Sequence, residues 1–359
     1  MREIEREGLL WASMAGFQNG ELLTLLAQMD DFMDFYEGGL SPEEGKLPPK
    51  IAKKLQERRR LDLTKMREIL EEENIRPLLV GDDFYPEKLA LTPDPPVVLY
   101  TLGDLALLEK KALSMVGARK YTAYGKRCCE GFARAMAAAG VVIISGMAMG
   151  IDSMAHNSAL DVDGDTIAVL GSGIDTPYPK SNLSLYRKIS ARGLILSEYP
   201  PGTPPLPFRF PQRNRIIAAL GDATLVVEGK LQSGSLITGR IAGELGREVF
   251  AICGNIDSVF SEGTNKLIQD GALMALKPQD LLEHPVFAVE KEEAQAQEWE
   301  LDFTEAAVVQ AVEEGAQNVD AIAEAVALSM DEILPVLSLL ELKGVLSGVD
   351  SQSIQINRW

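Results

Sequence analysis

Arginine and phenylalanine side chains suited to a nucleic acid are concentrated in one short stretch of the chain. Arg209, Arg213 and Arg215 are interleaved there with Phe208 and Phe210. Guanidinium groups neutralise phosphates, and the flat face of a phenylalanine can stack on an unpaired base. This pattern favours a site for a polyanion with exposed bases. A solvated arginine run beside two core phenylalanines is the alternative interpretation.

Hydroxyl-bearing residues open a second predicted helix, which follows a predicted buried strand at residues 223–227. Ser233, Gly234, Ser235 and Thr238 lie at this helix start. The free N–H groups at a helix N-terminus carry partial positive charge, so a phosphate is a natural ligand there. These four residues are therefore candidate contacts for a phosphate.

Acidic residues and one histidine are the remaining candidates for chemistry. Asp152, Asp175, Glu198 and Glu228 could supply carboxylates, but they equally suit hydrogen bonds to turn amides. His156 stands alone, and a single helix histidine is more often structural. The chain has no P-loop, no metal-ligand spacing and no arrangement that indicates a catalytic triad. We expect no catalytic residues, no metal and no cofactor.

A repeated strand, turn and helix pattern must position these residues. The predicted strands are residues 112–116, 141–144, 166–170, 193–196, 223–227 and 249–252. Nearly continuous apolar strands that alternate with helices are typical of an α/β fold with a parallel sheet covered on both faces. Ligands of such sheets bind at the carboxyl ends of the strands, where the glycine-rich turns of this chain lie.

The pattern divides the chain into four segments. They are a small helical domain at 1–75, a sheet domain at 76–284, an acidic linker at 285–303 and a winged-helix-like domain at 304–359. Within the sheet domain, Pro-bounded apolar runs before residue 110 predict short extended pieces that pack on the sheet.

The last segment predicts three short helices and a wing. The wing-like pair comprises residues 345–349 and 354–357. Ser329 and Glu332 form a capping box at the start of the third helix, which reads DNA in winged-helix proteins. That helix carries Asp331, Glu332 and Glu341 against Lys343 alone. Phosphate would be repelled by such a helix, so we expect it to contact protein.

The charge distribution restricts where a polyanion could bind. The formal net charge is −18, but residues 115–275 carry a net +2, whereas residues 1–114 carry −7 and residues 276–359 carry −13. Only the middle of the chain can therefore face a polyanion. The chain shows no secretory signal and no apolar run of membrane-spanning length, and its three cysteines form no disulfide pattern. We expect a cytoplasmic protein without membrane insertion.

With these motifs assembled, the chain resembles the DNA-processing protein A family (DprA, also called Smf). The similarity covers roughly residues 76–282 in the family's order. The matching stretches are 116–119, 124–125, 145–152, 155–156, 166–173, 178–182, 197–200, 210–215, 233–240 and 271–272.

The resemblance implies an extended Rossmann-like domain that binds single-stranded DNA. It also implies a homodimer and a recombination mediator that protects incoming DNA and helps load the RecA recombinase during natural transformation. The family's DNA contacts carry over to Arg119, Lys180, Phe210, Arg213 and Arg215. The other candidates, with less family support, are Arg209, Asn214, Ser233, Gly234, Ser235 and Thr238.

Two positions depart from the family pattern. Cys253-Gly254 replaces a common Pro-Gly, and Pro207 stands where relatives sometimes have a basic residue.

Two other functions are alternatives to DNA binding. The acidic ends favour a protein-interaction adaptor, and related Rossmann-like folds hydrolyse nucleoside monophosphates. The Gly-Gly-x-Gly-Thr turn of those hydrolases is absent, and Ser233-Gly234-Ser235 is its nearest counterpart.

Overall fold

The chain is organised as two compact units, residues Met1–Ala288 and Val289–Trp359. The structure is a computed structural model that describes residues 2–36, 47–59, 63–288, 302–313, 316, 318–343, 345–347 and 354–356. Most of the predicted linker and part of the predicted wing lie outside these residues. No helix in these ranges is long and apolar enough to cross a membrane.

Five helices precede the sheet in the described ranges. They are α1 (Glu3–Met14), α2 (Asn19–Ala27), α3 (Met29–Tyr36), α4 (Pro49–Arg58) and α5 (Thr64–Glu72). Proline stands at the first position of α4, where its missing N–H would have no partner in any case. The apolar faces of these helices share one core with the sheet, in which Leu9 and Phe32 join Val98. A hydrogen bond of 2.9 Å between Ser13 Oγ and the Tyr100 hydroxyl adds a polar tie.

Nine strands form one sheet. They are β1 (Arg76–Leu79), β2 (Val98–Gly103), β3 (Ala112–Val116), β4 (Val142–Ser145), β5 (Thr166–Leu170), β6 (Leu194–Ser197), β7 (Ala223–Val226), β8 (Glu248–Ile252) and β9 (Leu273–Ala275). Their order is β1-β2-β6-β5-β4-β3-β7-β8-β9. The six predicted strands are confirmed with shifts of one residue at most.

The sheet is parallel from β3 to β9, but its first two strands are antiparallel. The Pro-bounded runs that were expected only to pack on the sheet extend it: β2 pairs with β1 and β6, with Tyr100 opposite Ser197. Gly103 has a φ of +117°, and a side chain there would lie 2.2 Å from the Gly193 carbonyl oxygen. This close approach requires glycine and ends the added strand.

Eight helices accompany the strands of this sheet. They are α6 (Glu87–Ala90), α7 (Ala123–Ala138), α8 (Ile151–Leu160), α9 (Leu183–Arg192), α10 (Arg209–Leu220), α11 (Gly234–Glu244), α12 (Glu262–Gln269) and α13 (Gln279–Leu282). The side chains of β3 alternate between two cores. Ala112 and Val116 join one core, and Leu113 and Met115 join the other. The sheet is therefore covered on both faces, as the sequence predicted.

The second unit has the predicted three helices and a short wing. The elements are α14 (Phe303–Glu313), α15 (Val319–Ala325), α16 (Met330–Leu342), β10 (Leu346–Ser347) and β11 (Gln355–Ile356). The capping box is confirmed, because the Glu332 carboxylate accepts hydrogen bonds from the backbone N–H and hydroxyl of Ser329. Lys343 forms an ion pair with the buried Glu305, at 2.6 Å. This lysine therefore adds little free positive charge to α16.

His156 is fully buried under the sheet and has a structural role. Its Nδ1 lies 2.6 Å from Thr166 Oγ1, and this hydroxyl donates to the Ile143 carbonyl oxygen. Because the Thr166 hydroxyl proton is already donated to Ile143, Nδ1 of His156 carries the imidazole proton and donates it to Thr166 Oγ1. Burial, with a smaller effect from the Arg213 charge, lowers the pKa of His156 to about 3. The histidine is therefore neutral in the folded protein at neutral pH.

Stability should fall as pH decreases below the ordinary pKa of histidine, because the unfolded chain then binds a proton that folded His156 refuses. We expect the difference in unfolding free energy between wild type and His156→Gln to shrink by about 2 kcal/mol from about pH 7.5 to about pH 5. Urea denaturation at the two pH values measures this difference. A difference that stays constant would contradict the buried neutral histidine.

Candidate nucleic-acid interface

A cavity of about 510 Å³ lies at the carboxyl ends of β3, β4 and β7, and is called the main cavity below. Its walls come from the turn after β3, the start of α8, the start of α10 and the segment from Lys230 to Thr238. The predicted residues that line it are Arg119, Phe210, Arg213, Asn214, Ser233, Gly234, Ser235 and Thr238. This is the edge of the sheet at which parallel α/β folds bind ligands.

Three cations surround the main cavity. Arg119, Lys120 and Lys230 are exposed, and none has a carboxylate partner among the described residues. The Arg119 guanidinium lies 5.9 Å from the centroid of the Phe210 ring, and the Lys230 ammonium lies 5.4 Å from that of Phe260. Lys120, Lys230 and Phe260 were not predicted. The tendency of ligands to bind at the carboxyl ends of parallel strands could have indicated the two lysines, because they follow β3 and β7.

Phe210 separates the main cavity from a smaller one of about 50 Å³, which Tyr178 and Pro179 also line. The centroids of the Phe210 and Tyr178 rings are 5.6 Å apart. A side chain at position 171 would lie 2.8 Å from the Phe210 ring, so Gly171 makes room for it at the end of β5. The ring is half-buried and held in place, which prepares it for stacking.

Arg213 is buried, contrary to what a direct contact with a phosphate would require. Its Nη1 donates to the carbonyl oxygens of Gly146, at 2.9 Å, and Val169. Burial lowers its pKa to about 10, so it keeps its charge at neutral pH. The arginine therefore joins α10 to the ends of β4 and β5.

Arg215 is held in a different ion-pair network. Its Nη2 donates to Glu198 at 2.6 Å, and its Nε donates to Asp94 at 2.9 Å. Burial raises the pKa of the Glu198 carboxyl, and the Arg215 charge opposes this shift. Arg213 and Arg215 thus position α10, while Arg119 remains exposed.

The predicted hydroxyl residues cluster at the start of α11. Ser233 caps this helix by accepting a hydrogen bond from the Ser235 N–H, and Asn214 Nδ2 donates to the Gly234 carbonyl oxygen at 3.3 Å. Thr238 is fully buried, and its hydroxyl has no partner in the part of the chain that the structure describes. The start of α11 is therefore fixed beside α10 and faces the main cavity.

Lys180 and Arg209 lie outside the walls of the main cavity. Lys180 is exposed and begins a short 3-10 helix, Lys180–Asn182, next to the small cavity. Asn182 Nδ2 donates to the Met147 carbonyl oxygen at 2.9 Å, which holds this segment against the turn after β4. Arg209 lies on the other side of the α10 start, with its guanidinium 5.0 Å from the centroid of the Tyr199 ring.

The four candidate carboxylates serve the structure. Asp152 accepts backbone hydrogen bonds from Gly117, Gly146 and Ala148, and burial raises its pKa. Asp175 accepts from the Gly202 N–H at 2.8 Å.

Glu228 fixes the turn that carries Arg119. It accepts hydrogen bonds from the N–H of Thr122, at 3.0 Å, and from its hydroxyl, at 2.5 Å. Thr122 caps α7, so the bonds connect this helix start to the end of β7. With Glu198 bound to Arg215, each of the four candidates is engaged in a turn or an ion pair.

The sequence matches a known family over most of its first unit. Residues 76–285 match the family described as DNA recombination-mediator protein A, and residues 292–349 match a DprA winged helix domain. Protein Smf of Escherichia coli (strain K12) is 38% identical over 299 residues, which cover 80% of this chain and 79% of the relative.

Two solved structures resemble the fold. DNA processing protein A from Streptococcus pneumoniae has a TM-score of 0.66 and 36% identity, over 79% of this chain and 98% of that one. DNA processing protein A from Helicobacter pylori, described for its single-stranded DNA binding mode, has a TM-score of 0.54 and 32% identity, over 58% of this chain and 94% of that one.

The burial of Arg213 generates a stability prediction. Arg213→Met should lower the free energy of unfolding by about 2 kcal/mol or more, because two buried carbonyl oxygens lose their charged donor. Arg119→Ala is the matched control and should change it by less than about 0.5 kcal/mol, since Arg119 is exposed. Chemical denaturation of both variants measures the two values. Equal stabilities would show that Arg213 does not hold α10.

Proposed function

Because the chain belongs to the DNA recombination-mediator protein A family, we propose that it processes DNA by binding single strands at the main cavity. One observation carries the proposal: the exposed cations Arg119, Lys120 and Lys230 surround a cavity that also holds the half-buried ring of Phe210. The single-stranded DNA binding mode described for the Helicobacter pylori relative supports the same ligand.

The cations and the ring have different tasks in this proposal. Arg119 and Lys180 neutralise phosphates, and the start of α11 offers backbone N–H groups to a phosphate. Phe210 stacks on a base. Bases of a duplex are already stacked and paired, so this contact selects a strand whose bases can be splayed out.

Arg213 and Arg215 contribute indirectly. Their guanidinium groups are used within the protein, so we propose that they keep α10 in place while Phe210 and Asn214 face the strand. Ser233, Gly234, Ser235 and Thr238 shape the opposite wall. Arg209 belongs to a neighbouring surface, which is treated in the next subsection.

We also propose that this binding serves recombination. A protein that holds single strands through phosphates and splayed bases can protect incoming DNA in the cytoplasm and present it to the RecA recombinase during natural transformation. The family description as a recombination mediator supports this role. We propose no catalytic step, since Asp152, Asp175, Glu198 and Glu228 are all engaged in structural bonds.

A homodimer is the proposed assembly, and the exposed apolar edge of the sheet supports it. β9 pairs with β8 and has no second neighbour among the described strands. Ile256, Leu273, Met274 and Leu276 are exposed near this edge. An unpaired strand with apolar flanks is a ready surface for a second copy.

A negative charge introduced at this edge should dissociate the dimer. We expect wild type to have twice the mass of one chain in light scattering, and Leu276→Glu to have the mass of one chain, because burying a carboxylate in an apolar interface is costly. The control is Leu91→Glu, at a similarly exposed leucine elsewhere (77% against 66%). A wild type of single-chain mass, or equal effects of both variants, would contradict this surface.

Salt dependence tests the binding proposal itself. Affinity for a labelled oligothymidine should fall steeply with salt, and Arg119→Ala and Lys180→Ala should each reduce the log–log slope by about 0.7, since each removes one phosphate contact. Fluorescence anisotropy over a salt series measures the slopes. Lys188→Ala, an exposed lysine on α9, should keep the wild-type slope. Wild-type slopes in Arg119→Ala and Lys180→Ala would argue against phosphate contacts at this edge.

A further inference from the structure

A second cavity, of about 220 Å³, lies between the sheet domain and the turn that joins α1 to α2; it is called the crevice below. Phe208, Arg209, Gln212 and Arg215 line it. The residues of the same segment that line the main cavity are Phe210, Pro211, Arg213 and Asn214. At 100° per residue, residues 209, 212 and 215 lie on one face of α10, and residues 210, 213 and 214 lie on the other. The start of α10 therefore separates the two cavities.

The crevice holds aromatic faces beside a cation. The Arg209 guanidinium lies 5.0 Å from the ring centroid of Tyr199 and 5.6 Å from that of Phe208. Phe208 is 49% exposed. No carboxylate pairs with Arg209 in the described ranges, although its Nη1 donates to the Pro204 carbonyl oxygen. A large exposed aromatic ring next to an unpaired guanidinium suits a base and its phosphate.

The two acids of the crevice are both bound to Arg215. Asp94 accepts hydrogen bonds from Asn19 Nδ2, at 2.7 Å, and from Arg215 Nε, at 2.9 Å. Glu198 is bound to Arg215 Nη2. The remaining nitrogen of this guanidinium, Nη1, is buried and has no partner among the residues described. The two arginines of the crevice thus balance its two acids, and Arg209 is the one that no described carboxylate contacts.

We propose that the crevice is a second nucleotide subsite for the strand that occupies the main cavity. A base stacks on Phe208 and Tyr199, and Arg209 contacts the phosphate that leads to it. This inference rests on the proposed single-stranded DNA function and adds a path for the strand. The path crosses the N-terminal end of α10, where the helix dipole favours a phosphate.

The spacing of the two phenylalanines suits one continuous strand. Phe208 and Phe210 are two residues apart, so their Cα atoms are separated by at most about 7 Å. One ring lines the crevice and the other lines the main cavity. Neighbouring nucleotides can thus be splayed to the two sides of α10 while the backbone passes over its start.

Ligand length distinguishes the two subsites. The affinities of thymidine 5′-monophosphate and of an oligothymidine of about 20 nucleotides can be compared by competition anisotropy. We expect Phe210→Ala to weaken both ligands. Phe208→Ala should weaken the long oligomer by about fivefold or more and leave the mononucleotide unchanged, because one nucleotide in the main cavity cannot reach the crevice as well. Phe84→Ala, an aromatic residue with 60% exposure that lines neither cavity, is the control for loss of a surface ring.

A charge variant gives an independent measurement on the same subsite. Arg209→Gln should reduce the salt slope by about 0.7 for the long oligomer only. Thermal unfolding of each variant confirms that it is folded.

Each negative outcome has a separate meaning. Equal fold losses for the mononucleotide and the long oligomer in Phe208→Ala, or no loss for either, would overturn the crevice subsite and leave the main cavity intact. Failure of the wild type to bind the long oligomer would instead refute the proposed function, and the crevice with it.

Discussion

The candidate site depends on one buried interaction, the bonds of the Arg213 guanidinium to the carbonyl oxygens of Gly146 and Val169. A charged group away from water needs strong partners, and these carbonyls lie at the ends of two central strands. The bonds therefore determine where α10 begins relative to the sheet. Because the helix has a fixed period, they also determine that Phe210 faces the main cavity and Arg209 the crevice. The most deeply buried arginine of the segment thus directs the exposed side chains around it.

A chain with a net charge of −18 can present a cationic surface because its nearby acids are engaged. Glu228 is bound to Thr122, and Asp152 to backbone amides. Such bonds hold these carboxylates on amide and hydroxyl donors, Asp152 within the cavity wall itself, and leave Arg119 and Lys230 without a described carboxylate partner and available to a ligand. The field near the cavity follows from which charges are unpaired there, and the net charge of the chain is a poor guide to it.

The sequence predicted the architecture well where one physical signal dominated. Uninterrupted apolar runs gave β3 and β5 without error, and the rule that ligands bind at the carboxyl ends of parallel strands indicated the edge where the main cavity lies. The sequence could not distinguish exposed from buried arginines, because Arg213 and Arg215 lie among the same residue types as Arg209. Their partners, such as Val169 and Asp94, are distant along the chain and are brought close only by the fold. The antiparallel addition of β2 was missed for the same reason, since strand direction is a property of pairing. Lys120 and Lys230 were missed although each follows a strand of the parallel sheet, because nothing else in the sequence distinguishes them from other surface lysines.

The contact between α7 and the end of β7 has an evolutionary consequence. A side chain at position 125 would lie 2.3 Å from the Glu228 carboxylate, and Thr122 uses both its N–H and its hydroxyl on the same group. The residues at positions 122, 125 and 228 therefore constrain one another. Glycine at 125 is required only while an acid of this length stands at 228. A lineage that shortened the acid would be released from both other constraints at once. Substitutions at these three positions should then occur together, and the backbone of the turn bearing Arg119 would take a different path in the same lineages.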